Sequence, residues 1–508
     1  MQKIFHKPGR PPKMKNHQTN LMILAALFLF AYAVALTIAP SVRSRTWAVS
    51  LNWNHWIGYL VWLVGFSILN NQVNHLIKDP DPLLVPVVGI LSGLGILTIW
   101  RLNPELGEKQ TLWLFISLMT ILLALRIPNL LEFIRRYKYL WMFLGLFITS
   151  LTFIFGVNPI NNGPRLWLQF SNFYFQPSEP LKLLLIIFLA SYFADRNKFH
   201  GNFFRIILPT LVMSVLTFGI LISQRDIGTA SIFVLVYLIM LLLATQKKRL
   251  FWLIPLILIL AGMLGFFLLD IVKLRIFTWI DPWSTSTTTS YQIVQALIAI
   301  ASGGIGGTGP GLGSPGLIPV VESDFIFSAI SEEMGLLGTF ALIILLIVLM
   351  LRTIKISVSS RSTFHRYLSL GLASYFAIQS FLIIGGNLGL LPLTGVTLPF
   401  ISYGGSSLLT NFLCLLLLLI ISGEEKQIPP SIATARPINT LGILFSVLFL
   451  LTLLANSWIS VVKRSETIDR PENPRWIIYD RYIPRGNIYS QNGNLIASTQ
   501  GQIGSYSR

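Results

Sequence analysis

The sequence predicts an all-α polytopic membrane protein: a ten-helix core with two further membrane helices before it and one after it. Three observations carry this prediction. Of the 508 residues, 53% are apolar and only 11% charged, where a soluble domain carries roughly a quarter charged residues. The mean hydropathy is +0.68. Apolar stretches near bilayer-spanning length recur along the whole chain.

Thirteen spans follow in order. The first, 21–40, comes after a basic N-terminus, 1–20; it is long and lacks a following A-x-A site, so it is not a cleavable signal peptide. With 56–73 it forms an N-terminal pair within 21–82. Spans 83–100 and 111–126 lead into "LRIPNLLEFIRRYK", a basic cluster between apolar runs, and 138–157 follows it. The span at 181–194 is short and borrows residues from its flanks. Spans 204–222 and 227–244 are joined by a tight turn. "TQKKR" precedes 250–269, and a long polar stretch, 270–324, separates it from 325–351. Then come 367–386, 405–422, a linker at 423–439, the last span at 440–458 and a tail, 459–508.

Basic residues decide the orientation. With the N-terminus in the cytoplasm, inner segments hold 22 of the 38 Lys/Arg, outer segments 9 and the tail 7. Cytoplasmic segments are enriched in Lys and Arg, so the N-terminus is expected inside and the C-terminus outside. The net charge of +18 is therefore a topology signal and not a nucleic-acid footprint. The single cysteine, Cys414, lies inside an apolar run, which excludes a disulfide framework and a Cys-based metal site. The six histidines show no ligand spacing.

In this topology the loops 158–180, 223–226, 270–324 and 387–404 all face outward, and they hold the chain's unusual chemistry. In "NNGPRLWLQFSNFYFQPSEPLK", Pro177 and Pro180 bracket Ser178 and Glu179, as at a helix start. Glu179 and Lys182 are neighbours on one helical face, either as an internal ion pair or as part of a site. Arg165 and Trp167 suit a membrane interface. In "SQRDIGTAS", Asp226 sits at an outer mouth, where a solvated turn acid is the plain alternative, and Gly228 and Thr229 permit close helix approach. "YQIVQALIAIASGGIGGTGPGLGSPG" joins an amphipathic stretch to a glycine-rich run, which suits an anion cradle or a flexible lid; it has no P-loop lysine. "GLLPLTGVTLPFISYGGSS", with Ser402 and Tyr403, breaks the helix at membrane depth, as backbone does only where it lines a cavity or is buried in protein.

"VVESDFIFSAISEEMG" places Asp324 at the mouth of a span. At a helix N-terminus a carboxylate is favoured by the helix dipole, so Asp324 reads either as a cap or as a functional acid. On a continuous helix Glu332 lies about 80° round and two turns deeper, a candidate acid of the same cavity, while Glu333 faces away and is expected to be structural.

Together these segments resemble the SEDS (shape, elongation, division and sporulation) family, which includes the RodA and FtsW peptidoglycan polymerases. "NGPRLW", "FQPSEPLK", "RDIGTA", "YQIVQALIAIASGG", "SDFIFSAISEEMG" and "GLLPLTGVTLPFISYGGSS" occur in the family's order across residues 83–422, which hold ten of the spans. The resemblance implies a glycosyltransferase of the bacterial cell membrane that polymerises lipid II, the undecaprenyl-pyrophosphate-linked precursor, in elongation or division. It implies that Asp324 is the catalytic base, that Arg165 and Lys182 bring positive charge to the pyrophosphate, and that Glu179 holds Lys182. Trp167, Asp226, Ser402 and Tyr403 join the implied substrate site. A loosely held divalent cation, Mg2+ or Mn2+, without a dedicated protein cage and without an organic cofactor, belongs to the same implication. This sequence departs from the family with "ESD" for H-T-D, "QRD" for E-P-D, and Pro180 after P-S-E, but the acids are retained. The tail, "RPENPRWIIYDRYIPRGNIYSQNGNLIASTQG", resembles the opening of class B penicillin-binding proteins, the transpeptidase partners of these polymerases. With no S-x-x-K following, it reads as a fusion that keeps only the partner's anchor and first strand region, a truncated product.

Two other classes remain open at the level of the residues. A flippase of lipid-linked precursors would suit many spans, but it needs polar groups at mid-membrane and on both faces, and here they cluster on one. A scaffold that recruits the transpeptidase would not require Asp324, Glu179 and Lys182.

Overall fold

The computed structural model describes residues 12–159, 163–171, 173–195, 203–245, 248–424, 432–480, 482 and 486–498. In chain order the elements are α1 (Pro12–Ser44), α2 (Trp56–Leu76), α3 (Leu84–Leu102), α4 (Pro104–Ala124), the short α5 (Leu130–Arg136) and α6 (Lys138–Phe155). Three small antiparallel strands follow, β1 (Gly156–Val157), β2 (Trp167–Phe170) and β3 (Phe173–Phe175). Next come α7 (Ser178–Ala194), α8 (Phe203–Ser223), α9 (Ile227–Thr245), α10 (Lys248–Leu268), α11 (Asp270–Ile280), α12 (Tyr291–Gly303), α13 (Ile326–Ser359), α14 (Thr363–Asn387), α15 (Gly405–Ser422) and α16 (Ile432–Ser457). The C-terminal segment adds α17 (Arg464–Ile468), α18 (Arg475–Asp480) and the hairpin of β4 (Ile488–Tyr489) and β5 (Leu495–Ala497).

Each of the thirteen expected spans falls on one of the long helices. Nine helices among the described residues are long and apolar enough to cross a membrane. Of the other four expected spans, α2 ends in Asn70, Asn71, Gln72 and Asn74, and α7 has only 17 residues. Helices α3, α7, α14 and α15 are buried on nearly every face and form the centre of the bundle. Outer helices instead present apolar residues such as Leu27, Phe147, Leu216 and Leu450 outward, the surface a bilayer requires. The N-terminal pair is part of this packing. α1 lies along α3 and α2 along α4, with Trp62 donating to the Gly89 carbonyl at 2.8 Å.

The stretch 270–324 is not a structureless loop, because it contains α11 and α12. α12 buries Ile293, Ala296, Ile298, Ala299 and Ile300 and packs on α13. The glycine-rich run after it is neither a lid nor an open anion site. α13 is kinked at Gly335, whose backbone is left-handed (φ +65°). A kink frees carbonyls that a membrane cannot solvate, and the run supplies donors for them. Thr308 N donates to Glu332 O at 2.9 Å and Gly309 N to Glu333 O at 3.0 Å; in return Leu336 N donates to Gly304 O at 2.8 Å. Side chains have no room at this approach. A Cβ on Gly307 would strike the Glu333 carbonyl, and one on Gly335 would strike the Gly307 nitrogen.

Gly335→Ala combines left-handed strain with that clash and is expected to cost at least about 1–3 kcal/mol. Thermal unfolding of the purified protein checks this against Gly262→Ala, an exposed α10 position where a Cβ meets nothing within 4 Å, which should leave the melting temperature unchanged or higher.

Candidate active site

The polar segments converge on one end of the bundle. Between α14 and α15 the chain runs non-helically over 388–404, and its backbone is satisfied by buried side chains, as a dry environment demands. Gln379 Nε2 donates to Thr397 O at 2.7 Å, Leu398 N donates to Ser402 Oγ at 2.9 Å, and Gln110 Nε2 donates to Ser402 O at 3.3 Å. This segment is stitched to the acid-bearing stretch before α13. Tyr403 N donates to Glu322 O at 2.8 Å, and Ser402 Oγ donates to Ser323 O at 2.6 Å.

Those bonds hold Asp324. Its own carbonyl accepts from Asn387 Nδ2 at 2.8 Å, and its N–H donates to Val320 O at 3.3 Å. Val320 takes a left-handed backbone (φ +56°), as does Phe400 (φ +65°) on the facing segment, a conformation rare for β-branched and bulky residues. Asp324 does not cap α13. The helix begins at Ile326, its N-cap is Phe325, and no side chain caps it. The Asp324 carboxylate is partly buried; Oδ1 accepts from Ser323 Oγ at 3.0 Å, and Oδ2 accepts from no described residue. Burial pushes this carboxyl above the usual carboxylate range, opposed by the Ser323 hydroxyl and by Arg275, with Glu322 adding to the rise.

Arg275 on α11 is the cation beside Asp324, and nothing in the sequence pattern had singled it out. It donates to Thr394 O at 3.2 Å. A Cβ on Gly395 would lie 3.6 Å from Asp324 Oδ2 and 3.8 Å from Arg275 Nη2, so this glycine keeps open the space both groups face. Arg275 is also electrostatically coupled to Asp226. Asp226 caps α9, accepting from Thr229 N at 3.1 Å through Oδ1, while Oδ2 accepts from Ser178 Oγ at 3.2 Å. Gly228 lets α9 abut the Thr394 carbonyl.

α7 starts at Ser178 as the two prolines suggested, and Pro180 sits in its first turn, where a missing N–H is harmless. Lys182 Nζ donates to Glu179 Oε1 at 2.8 Å and stands 5.6 Å from the ring centre of Tyr375. Both partners are buried, and Glu179 Oε2 accepts no hydrogen bond among the described residues.

Asp324, Ser402, Tyr403, Asp226, Glu179 and Lys182 thus lie on connected elements. No hydrogen bond or ion pair among the described residues links the Arg165 or Trp167 side chain to them. Arg165 is exposed and pairs with no described acid; Trp167 opens β2, paired with Val157. The expected place of Glu332 is also corrected. It is fully buried, but its carboxylate is gripped by Arg475 at 2.8 and 2.9 Å and accepts from Ser314 N at 2.9 Å. The 80° estimate assumed one unbroken helix from Asp324, whereas the helix starts two residues later. Glu333 accepts from Gly311 N at 2.9 Å and lies 3.3 Å from Arg101 Nε. No three His, Cys, Asp or Glu side chains cluster to hold a metal among the described residues.

The model of the cell cycle protein family of FtsW, RodA and SpoVE matches residues 84–427. The chain belongs to this family. Its relatives include the peptidoglycan glycosyltransferase RodA of Mycobacterium tuberculosis (strain ATCC 25618 / H37Rv), 32% identical over 85% of this chain and 95% of the relative. The stage V sporulation protein E of Bacillus subtilis is 31% identical over 68% of this chain and 98% of the relative. The mycobacterial match extends beyond the stretch covered by the family model. Among solved structures, a chain of a peptidoglycan synthase complex aligns with a TM-score of 0.58 and 26% identity, covering 68% of this chain and 97% of its own. RodA of Thermus thermophilus shares the fold with a TM-score of 0.51 at 24% identity, over 68% of this chain and 96% of its own. The family core is thus α3 to α15.

Within that core the Glu179–Lys182 pair is expected to behave as a buried ion pair. Lys182→Met leaves Glu179 unpaired and should destabilise by about 3–5 kcal/mol, while adding Glu179→Gln should recover most of the loss. Melting temperatures of the two single variants and the double variant check this.

Proposed function

We propose that this protein is a peptidoglycan glycosyltransferase that polymerises lipid II at the outer face of the bacterial cell membrane, with its N-terminus cytoplasmic and its C-terminus outside. One observation carries the reading: in a family whose relatives are named for this activity, the carbonyls of Asp324 and Ser323 are held by the Asn387 and Ser402 side chains while one Asp324 carboxylate oxygen remains free beside Arg275.

In this mechanism Asp324 Oδ2 takes the proton from the acceptor sugar's 4-hydroxyl as that oxygen attacks the anomeric carbon of the donor. The bond from that carbon to the phosphate oxygen breaks, and the lipid pyrophosphate leaves with the electron pair. Asp324 then returns the proton to solvent. Arg275, the nearest cation, offsets negative charge as it develops on the leaving group. Lys182, already neutralised by Glu179, sets the potential behind it, and Asp226 anchors α9 against the same segment. Tyr403, half-buried, belongs to the wall that the donor would face, and Ser402 shapes that wall through its bonds to Leu398 N and Ser323 O. No step is routed through a divalent cation. A class B penicillin-binding protein is the partner that would crosslink the strands.

Reconstituted protein with lipid II should yield glycan strands on a gel, and Asp324→Ala should lower the rate at least on the order of 100-fold. Equal rates would remove Asp324 from the mechanism. Lipid scrambling without strands would support a flippase instead.

The base must be ionised to act, so activity should fall as pH drops through the Asp324 pKa. Because burial raises that pKa, the acid limb of kcat/KM should lie above the ordinary carboxylate range. Arg275 opposes the rise, so Arg275→Gln should move the limb further up in a pH–rate profile.

A further inference from the structure

The segment after the last long helix does not hang free. Arg475, at the start of α18, is 1% exposed and Glu332 is 0% exposed. The guanidinium meets the carboxylate through both arms, Nε to Oε1 at 2.9 Å and Nη2 to Oε2 at 2.8 Å, and its third nitrogen donates to Gln295 Oε1 on α12 at 3.1 Å. Gln295 closes the ring by donating to the Glu472 carbonyl at 2.8 Å. The turn that delivers Arg475 is preformed. Asn473 accepts from Arg475 N at 3.1 Å and donates to Ile468 O at 2.9 Å.

Glu332 is therefore the point where three elements meet: the tail through Arg475, the glycine-rich run through Ser314 N, and α13, which carries it just before the Gly335 kink. The last long helix and the tail each add one more contact nearby. Asn456 of α16 donates to Thr339 Oγ1 just past the kink at 2.7 Å, and Arg470 of the tail stacks over Trp283 at 3.8 Å. Asp324 lies eight residues before Glu332, immediately ahead of the helix that Glu332 anchors.

We propose that Arg475 is a positioning residue for the transferase site, clasping Glu332 so that the kinked start of α13 holds Asp324 in register with the 388–404 segment. A fork that satisfies both oxygens of a buried carboxylate fixes direction as well as charge, which a lysine ammonium does not. Without Arg475 the Glu332 charge is stranded in the interior. It is relieved only by protonation or by opening the packing at the kink, and either change reaches Asp324 through the first two turns of α13. Errors of about 1 Å at a reacting group cost up to roughly 100-fold in rate. The segment resembling the opening of a penicillin-binding protein is thus a working part of the polymerase itself. This inference rests on the transferase reading, and the experiment separates the two.

The full chain is purified as wild type, Arg475→Lys, Arg475→Ala, and Arg475→Ala combined with Glu332→Gln. Each is assayed for kcat and KM with lipid II, for melting temperature, and for hydrogen exchange over 303–335. Arg475→Ala should lower kcat on the order of 10- to 100-fold with KM changed less than about threefold, and exchange over 303–335 should accelerate. Arg475→Lys, which keeps the charge and folds, should lie between. In the double variant the stranded charge is gone, so the melting temperature should recover while kcat stays low. If kcat returns together with the melting temperature, the role is structural only and the proposal fails. Wild-type kcat in Arg475→Lys and Arg475→Ala also overturns it. If the wild type makes no strands, the transferase reading fails. The clasp is then judged by exchange alone, and unchanged exchange in Arg475→Ala refutes it.

Discussion

A membrane-embedded helix that breaks must find donors for the carbonyls it releases, and the break of α13 at Gly335 organises the active end of this protein. The Glu332 and Glu333 carbonyls are taken by Thr308 and Gly309, and the carboxylates of the same two residues by Ser314 N and Gly311 N. The glycine-rich run is therefore an anion cradle after all, but the anions are the protein's own. Its glycines are required by the distance of approach, since backbone meets backbone with no side chain between. Because the run ends at the stretch bearing Asp324, closing the kink and placing Asp324 are one packing problem.

The acids of "VVESDFIFSAISEEMG" separate into two electrostatic roles. Glu332 and Glu333 are buried and countered, by Arg475 and by Arg101, and such pairs fix geometry more than they add stability. Asp324 is treated differently. Its backbone and one oxygen are committed, and the second oxygen faces the space that Gly395 leaves open beside Arg275. An acid that transfers a proton must keep one oxygen available; Asp324 keeps one, while Asn387 and Ser402 hold the backbone beside it.

The two helices ahead of the family core belong to the same arrangement. α1 runs along α3, Arg43 at its end donates to Ser314 Oγ at 3.2 Å, and Ala39 and Leu36 back onto Gly311. The glycine-rich run is thus held from one side by α1 and from the other by the C-terminal segment. Chain outside the core, at both ends, packs against the glycine-rich run that precedes Asp324.

Much of this was legible in the residues alone. Spans follow from hydropathy because a bilayer imposes a length and forbids unpaired backbone, so every expected span found its helix. Pro177 and Pro180 marked the start of α7, and the i, i+3 spacing of Glu179 and Lys182 placed their ion pair, because both rules are local. The failures were non-local. Helical phase could not place Glu332, since Asp324 stands outside the helix and the partner of Glu332 comes 143 residues later in the chain. Arg275 carried no motif and gained meaning only when α11 folded back beside Thr394. The sequence by itself determined which backbone crosses the membrane and which acids are present. Only the tertiary structure decided which carboxylates are neutralised and which one is left free, because that depends on cations delivered from distant segments.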